Sequence, residues 1–208
     1  VGFSSLCRHS FYAFDDNFNL NLQEIENCIE KSNGEKILIF GFTSIIWEHF
    51  FKNPLPSRIK NYFKEKSILL HGGGWKKLEK ISVSRDKFNF KIEQNLGTKR
   101  VINYYGMIEQ TGSIFMECEK GYLHSNSLCS IISRSLNGFK INKNNEIGLA
   151  QVISALPSSY PGHSLLTDDL VQICHYKNCP CRRPGIAFKI HGRLKSAEIR
   201  GCSDTFQT

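Results

Sequence analysis

The spacing of apolar positions changes along the chain, and the change divides it. Near the N-terminus, residues 21–31 place Leu22, Ile25 and Ile29 on one helical face. Asn19 or Asn21 can cap that helix, and Asn33-Gly34 ends it. Residues 36–42 form an Ile-rich apolar run suited to a buried parallel strand. Residues 45–51 read as helical and stop before Pro54 and Pro56. An amphipathic helix over 58–66 follows, then a strand over 67–71 and a tight turn at Gly72-Gly73-Gly74. Residues 75–81 and 85–94 are helical in pattern, and 100–104 is another short strand. Helix, strand, glycine turn, helix, strand is the rhythm of an α/β domain with a parallel sheet.

After about residue 114 the period shortens. Short strands at 114–118, 121–124 and 131–133 are separated by Gly/Asn turns, the clearest at 142–145. Longer ones at 148–156, 165–174 and 186–191 complete a β-rich second region. No internal repeat, low-complexity tract or flexible linker interrupts the order.

Composition narrows the class. The 208 residues are 40% hydrophobic, 12% aromatic and 22% charged, the profile of an ordinary folded domain. No apolar run approaches the roughly 20 residues of a membrane helix. Val1-Gly2-Phe3 has neither an initiator Met nor the start of a signal peptide, so the chain is expected to begin inside a longer gene product. The net charge of +8 suggests anionic company. The basic residues are scattered rather than gathered into a reading motif, which argues against nucleic acid and for a substrate phosphate or an acidic partner protein. Eight cysteines are too few for a disulfide scaffold, so free thiols in a reducing cytoplasm are expected. Cys7, Cys28, Cys118 and Cys129 look isolated, while Cys174, Cys179, Cys181 and Cys202 crowd the C-terminal end.

Four segments carry candidate chemistry. His71-Gly72-Gly73-Gly74 runs from a strand into glycines, where a ligand can approach backbone at a strand's carboxyl end, although a bare structural turn reads equally well. No Gly-Lys-Ser/Thr follows, so it is not a P-loop. Tyr105-Gly106-Met107-Ile108-Glu109 sets a carboxylate four residues beyond an aromatic. The aromatic can lie on a purine and the carboxylate can reach a phosphate-bound magnesium; the plain alternative is a core Tyr and a surface Glu. Thr167-Asp168-Asp169 puts two acids at the end of an apolar strand, and their repulsion leaves one to accept hydrogen bonds from sugar hydroxyls or backbone. His191 to Cys202 concentrates Gly, Arg and Lys around a thiol, and nearby cations favour the reactive thiolate.

In this order, the segments resemble the AMP-forming adenylating enzymes. The chain is more closely similar to the acyl-protein synthetases (long-chain-fatty-acid ligases) of bacterial luminescence. The runs that carry this likeness are 105–113, 156–169 and 197–204, within a resemblance from about Phe40 to Thr205. It implies part of the large domain of an adenylating enzyme: a parallel sheet with helices followed by a β-rich subdomain. The expected divisions are 1–113 (partial adenine-binding subdomain), 114–191 (β-rich) and 192–208 (hinge-like tail). Gly72, Gly73 and Gly74 would line adenine, Tyr105 beside Gly106 would stack on it, and Glu109 would bind magnesium. Asp169 would hold the ribose hydroxyls, Arg193 would lie near ribose or α-phosphate, and Lys195 falls at the hinge. Cys202 stands where the luminescence family is acylated. The activity implied is ATP-dependent formation of acyl-AMP from a fatty acid, then transfer to Cys202 as a thioester for a partner acyl reductase.

Two departures bear on this. Ile108 stands where the superfamily usually has Thr, so a phosphate contact is expected from Thr111 instead. Nothing in residues 1–40 fits the superfamily's phosphate loop; the chain is expected to lack its N-terminal part and, as a fragment, to bind nucleotide weakly and fail the first half-reaction. Other readings remain beside it. Cys174, Cys179 and Cys181, with His175 and His191 nearby, form a candidate structural zinc site without a fourth ligand, against the simpler reading of reduced thiols in a Pro-bearing turn. Gly162-His163-Ser164-Leu165-Leu166 lacks the final glycine of a hydrolase nucleophile elbow. A coenzyme A ligase of the phenylacetate type and a non-catalytic nucleotide-binding module complete the alternatives. The lone histidines, His9, His49, His71 and His124, read as packed or exposed residues.

Overall fold

Helix α1 (Leu22–Ser32) begins where the Asn21 side chain accepts from the Glu24 amide at 3.1 Å, satisfying one of the donors a helix leaves open. It ends at Asn33, whose left-handed backbone (φ 47°) turns the chain out. The computed structural model describes residues 3, 7–52, 54–110 and 112–194 and divides into two units, Val1–Ile102 and Asn103–Thr208.

In the first unit, β1 (Ile37–Phe42) pairs in parallel with β2 (Ser67–Gly72), from Ile37 opposite Ser67 to Phe42 opposite Gly72. β2 is the buried strand of the two. β1 is only half-buried, with Phe40 38% exposed, because it lies at the end of the strand order and packs on one side. The expectation of a buried strand over 36–42 is therefore corrected. Between them come α2 (Thr43–Ile45), a wide π turn (Ile46–Phe50) and α3 (Ser57–Lys66). Helix α3 buries Ile59 and Phe63, four residues apart on one face.

A 3₁₀ turn (Lys76–Ile81) replaces the helix expected at 75–81, and α4 (Arg85–Leu96) follows with Ser84 as its cap. Phe88, Ile92 and Leu96 recur every four residues and enter the same core as Ile59, Phe63 and Leu69. Each such side chain stabilises the fold by about 1.5–3 kcal/mol through burial. The chain then enters β3 (Val101–Tyr105), and the change of unit falls within this strand.

The second unit is antiparallel. β4 (Phe115–Glu117), β5 (Leu123–His124), β6 (Cys129–Arg134), β7 (Ile147–Ser154), β8 (Ser164–His175) and β9 (Ala187–Arg193) follow in sequence. In space the order from β3 is β4, β5, β9, β8, β7, β6. β6 alternates buried and half-buried positions, as a strand with one face on a core must. Phe115, Ile131, Val152, Val171, Ile173 and Phe188 fill that core. The α/β region followed by a β-rich one is the arrangement the sequence pattern predicts.

Gly97 closes α4 with φ 93°, its amide donating to Glu93 O at 3.0 Å. A Cβ there would lie 2.2 Å from the Lys60 carbonyl oxygen, so both conformation and space demand glycine. Gly97→Ala is expected to destabilise the fold by at least about 1–3 kcal/mol, read as a lower urea midpoint at unchanged slope.

Candidate functional site

The glycine turn lies in the first unit. β2 delivers His71 and Gly72 to its carboxyl end, and Gly73 (φ 79°) and Gly74 (φ 64°) make the turn beyond. A Cβ on Gly73 would come within 2.9 Å of the Phe42 ring, so bare backbone is required there. His71 supports the turn from beneath. Thr43 Oγ1 donates to Gly72 O at 3.0 Å, so with its single proton used it accepts from His71 Nδ1 at 2.9 Å. Nδ1 therefore carries a proton, and the ring centroid lies 4.5 Å from that of Phe88. Burial, with the Arg85 charge adding to it, lowers the His71 pKa from 6.5 to about 4.

The remaining site residues converge in the second unit. Tyr105 ends β3 opposite Phe115 of β4, and its hydroxyl donates to Asp169 Oδ2 at 2.6 Å. Burial first, and then the Asp169 charge, raise the Tyr105 pKa well above its ordinary value, so the phenol remains a donor. The register of β8 and β9 sets Asp169 opposite Arg193, whose Nε lies 3.4 Å from Asp169 Oδ1 and whose Nη2 lies 3.6 Å from Asp168 Oδ2. Thr167 shapes the approach: its hydroxyl donates to Ala150 O at 3.0 Å and accepts from the Asp169 amide at 3.1 Å. An open groove lined by Phe139, Leu166, Thr167 and Asp168 runs alongside. The two adjacent acids are thus separated by role. Asp169 is gripped by Tyr105 and Arg193, and Asp168 is the more exposed of the pair.

Glu109 is exposed on a 3₁₀ turn (Ile108–Gln110) that starts just beyond Gly106. That turn is held by residues the sequence reading passed over. Gln110 is fully buried, and its amide donates to Gly162 O at 2.6 Å and Val152 O at 3.2 Å. The Tyr160 hydroxyl donates to the Glu109 carbonyl. The segment 156–169 therefore wraps the segment 105–113. The signal for this was the run Pro157-Ser158-Ser159-Tyr160-Pro161-Gly162 itself, but nothing in it names partners some fifty residues away.

The structure thus brings Tyr105, Gly106, Glu109, Asp169 and Arg193 into one unit, with Gly72, Gly73 and Gly74 in the other. Lys195, Cys202 and Thr111 lie outside the described residues. Ser164 opens strand β8 and accepts from Gln151 at 2.8 Å, with no strand-to-helix elbow.

Among the thiols, Cys179 and Cys181 lie with Cys118 and His124, all four donor atoms within 4.8 Å of one another. Cys174 is outside that group and donates to Gln172 O at 3.6 Å. Cys118 is therefore not isolated, and His124 is not a lone packed histidine.

His71 makes a pH dependence. Its folded pKa lies below its unfolded value, so the unfolded chain binds the extra proton between the two. The stability it protects is complete above pH 6.5 and is lost as pH falls through about 4. The expected loss is of the order of 3 kcal/mol. His71→Asn should show a flatter profile of urea-unfolding free energy across that window.

Comparison with known proteins follows the same lines. A 2-hydroxyisobutyryl-CoA ligase in an open conformation, in complex with 2-HIB-AMP and CoA, superposes with a TM-score of 0.60 at 14% identity over 83% of this chain and 40% of its own. A luciferase-like enzyme from the nonluminescent mealworm Zophobas morio gives 0.55 at 16% identity, covering 86% and 42%. The O-succinylbenzoate coenzyme A synthetase of Bacillus subtilis, in complex with ATP and magnesium, gives 0.50 at 14%, covering 81% and 34%. The chain thus has the fold of the adenylating enzymes and spans about a third to two fifths of their length. No curated protein has a significantly similar sequence. A sequence model of one family, "Acyl-protein synthetase, LuxE", matches residues 10–208, nearly the whole chain, and the protein belongs to that family.

Proposed function

We propose that this chain carries the nucleotide-recognition part of an AMP-forming ligase that activates a long-chain fatty acid and transfers the acyl group to its own Cys202. The observation that carries the reading is the convergence of Tyr105, 64 residues earlier, and Arg193, on the neighbouring strand, onto the Asp169 carboxylate. In this reading 1–113 is the partial adenine-binding subdomain, 114–191 the β-rich one and 192–208 the hinge-like tail. Cytoplasmic location and an acyl reductase as acceptor belong to the same proposal; among the described residues no helix is long and apolar enough to cross a membrane.

The chemistry assigns each residue work. Within the second unit, Tyr105 beside Gly106 offers a ring for the adenine face; Gly72, Gly73 and Gly74 of the first unit offer bare backbone suited to a nucleotide edge. Asp169 keeps lone pairs beyond those used by Tyr105 and Arg193, and a ribose diol supplies the matching donors. Arg193 is assigned the balancing of α-phosphate charge. The fatty carboxylate oxygen attacks the α-phosphorus, the bond to the β-phosphate oxygen breaks, and pyrophosphate leaves. The Cys202 thiolate then attacks the acyl carbon, forming the thioester and releasing AMP. By the family resemblance, Lys195 is assigned the hinge between domains. Magnesium suits an exposed carboxylate such as Glu109, because it binds through one or two carboxylates and keeps several waters. When bound, it neutralises phosphate charge.

The alternative is a ligase of the phenylacetate type that passes its acyl group to coenzyme A, which would leave Cys202 incidental. The complete gene product, given ATP, magnesium and radiolabelled tetradecanoate, separates the two on a denaturing gel. Hydroxylamine-labile label on the protein, lost in Cys202→Ser while acyl-AMP still forms, is the expected result. Acyl-AMP without label on the protein would favour coenzyme A, and silence in both would end the catalytic reading. For the nucleotide, Asp169→Asn is expected to weaken ATP binding about ten- to a hundredfold in titration calorimetry. That loss is the size of a charged hydrogen-bond acceptor, and the fold should be unchanged by circular dichroism.

A further inference from the structure

Four soft donors meet at one end of the β8–β9 hairpin. Cys118 follows β4 directly, His124 ends β5, and Cys179 and Cys181 lie on the loop between His175 and Ala187. Cys118, His124 and Cys179 are buried, and Cys181 is half-buried. Two of the elements joined here are very short: β4 has three residues and β5 two. Strands of that length hold poorly by their own hydrogen bonds. The apolar cluster around them consists of Cys118, Cys179 and Ala187 flanked by Tyr122 and Cys181, which is little surface to bury for three loops.

His124 gives the second, independent sign. Its Nδ1 lies 3.2 Å from the Pro184 carbonyl oxygen, which only accepts, so Nδ1 carries the proton. Nε2 therefore presents its lone pair to the thiols, 3.3 Å from Cys181 Sγ. A ring whose far nitrogen is fixed by a backbone carbonyl is the usual support of a metal-ligating histidine. The Arg183 amide donates to Cys181 Sγ at 3.3 Å, as it would to a thiolate.

We propose that Cys118, His124, Cys179 and Cys181 bind one zinc ion. Bond lengths of about 2.3 Å to sulfur and 2.0–2.1 Å to nitrogen place tetrahedral donors about 3.5–3.8 Å apart. The Cys181–His124 pair is already near that spacing, and the rest of the group, within 4.8 Å, closes by at most about an ångström. Binding replaces three S–H bonds by three Zn–S bonds and releases three protons to solvent. With four protein ligands there is no open position, so the ion is structural. It fastens the β4–β5 turn to the β8–β9 loop. The Asp169–Arg193 pair stands at the opposite end of the hairpin, six residues and about 20 Å of strand from Ala187.

The test is metal analysis of the complete gene product, purified without a metal-binding tag from zinc-supplemented medium. One zinc per chain is expected, lost in Cys118→Ser and in His124→Asn and kept in Cys174→Ser. Because a ligand variant can fail to fold, the unmutated protein supplies a second reading. Cobalt exchanged for zinc should give the intense visible bands of a tetrahedral thiolate site, and chelation should lower Tm reversibly. Zinc-free protein that takes up no cobalt, iron in place of zinc, full zinc content in folded Cys118→Ser, or a disulfide among these cysteines in the intact mass would each overturn the assignment.

Discussion

A carboxylate shared between a tyrosine and an arginine sets the constraint on which the second unit turns. Asp169 is reached from Tyr105, 64 residues earlier, and from Arg193 on the next strand. Neither contact is possible unless β8 pairs with β9 in its observed register and β3 returns against β4. A slip of one residue would send Asp169 to the other face of the sheet. The core below, from Phe115 to Phe188, fixes the strand by burying Val171 and Ile173, and a shift of register between Asp169 and Val171 then brings Asp169 opposite Arg193. Packing and site are one specification here. The exposed ion pair itself contributes little to stability, so the sheet places the arginine and not the reverse.

The fold was legible where a local rule governs it. Asn21 and Asn33 mark α1 by capping chemistry, Gly72 to Gly74 mark a turn by backbone conformation, and alternation marks the strands after residue 114. What depends on distant partners was not. Nothing in the Ile-rich run at 36–42 tells that β1 has a neighbour on one side, so its half-exposure could not be read. Tyr105, Asp169 and Arg193 were found as motifs, but their meeting at Asp169 is a property of the sheet. Gln110 and Tyr160 went unnoticed because their partners are main-chain carbonyls, which every residue possesses.

The cysteines show the same limit more sharply. Spacing pointed to Cys179-Pro180-Cys181 and then reached for Cys174, the nearest thiol in sequence. The donors that face the pair come instead from β4 and β5, some sixty residues away. On β8, Cys174 and His175 are consecutive, and consecutive strand residues point to opposite faces, so proximity in sequence was a poor guide there.

The two clusters divide the hairpin's labour. At the Arg193 end the charged network is open and polar, with Arg193 half-exposed, which suits the nucleotide proposed to bind there. At the Ala187 end the loop carries two non-glycine residues in left-handed conformation, Asn178 and Arg182, and a strand partner only two residues long. A segment so poor in ladder bonds and apolar contacts belongs to the low-stability end of a fold unless something fastens it. β9 joins the two ends, but its ladder with β8 shifts register between Asp169 and Val171 and again between Ile173 and His175. The proposed zinc ion would therefore fasten the Ala187 end locally, while Val171 and Ile173, buried between the two shifts, fix the strand that carries Asp169.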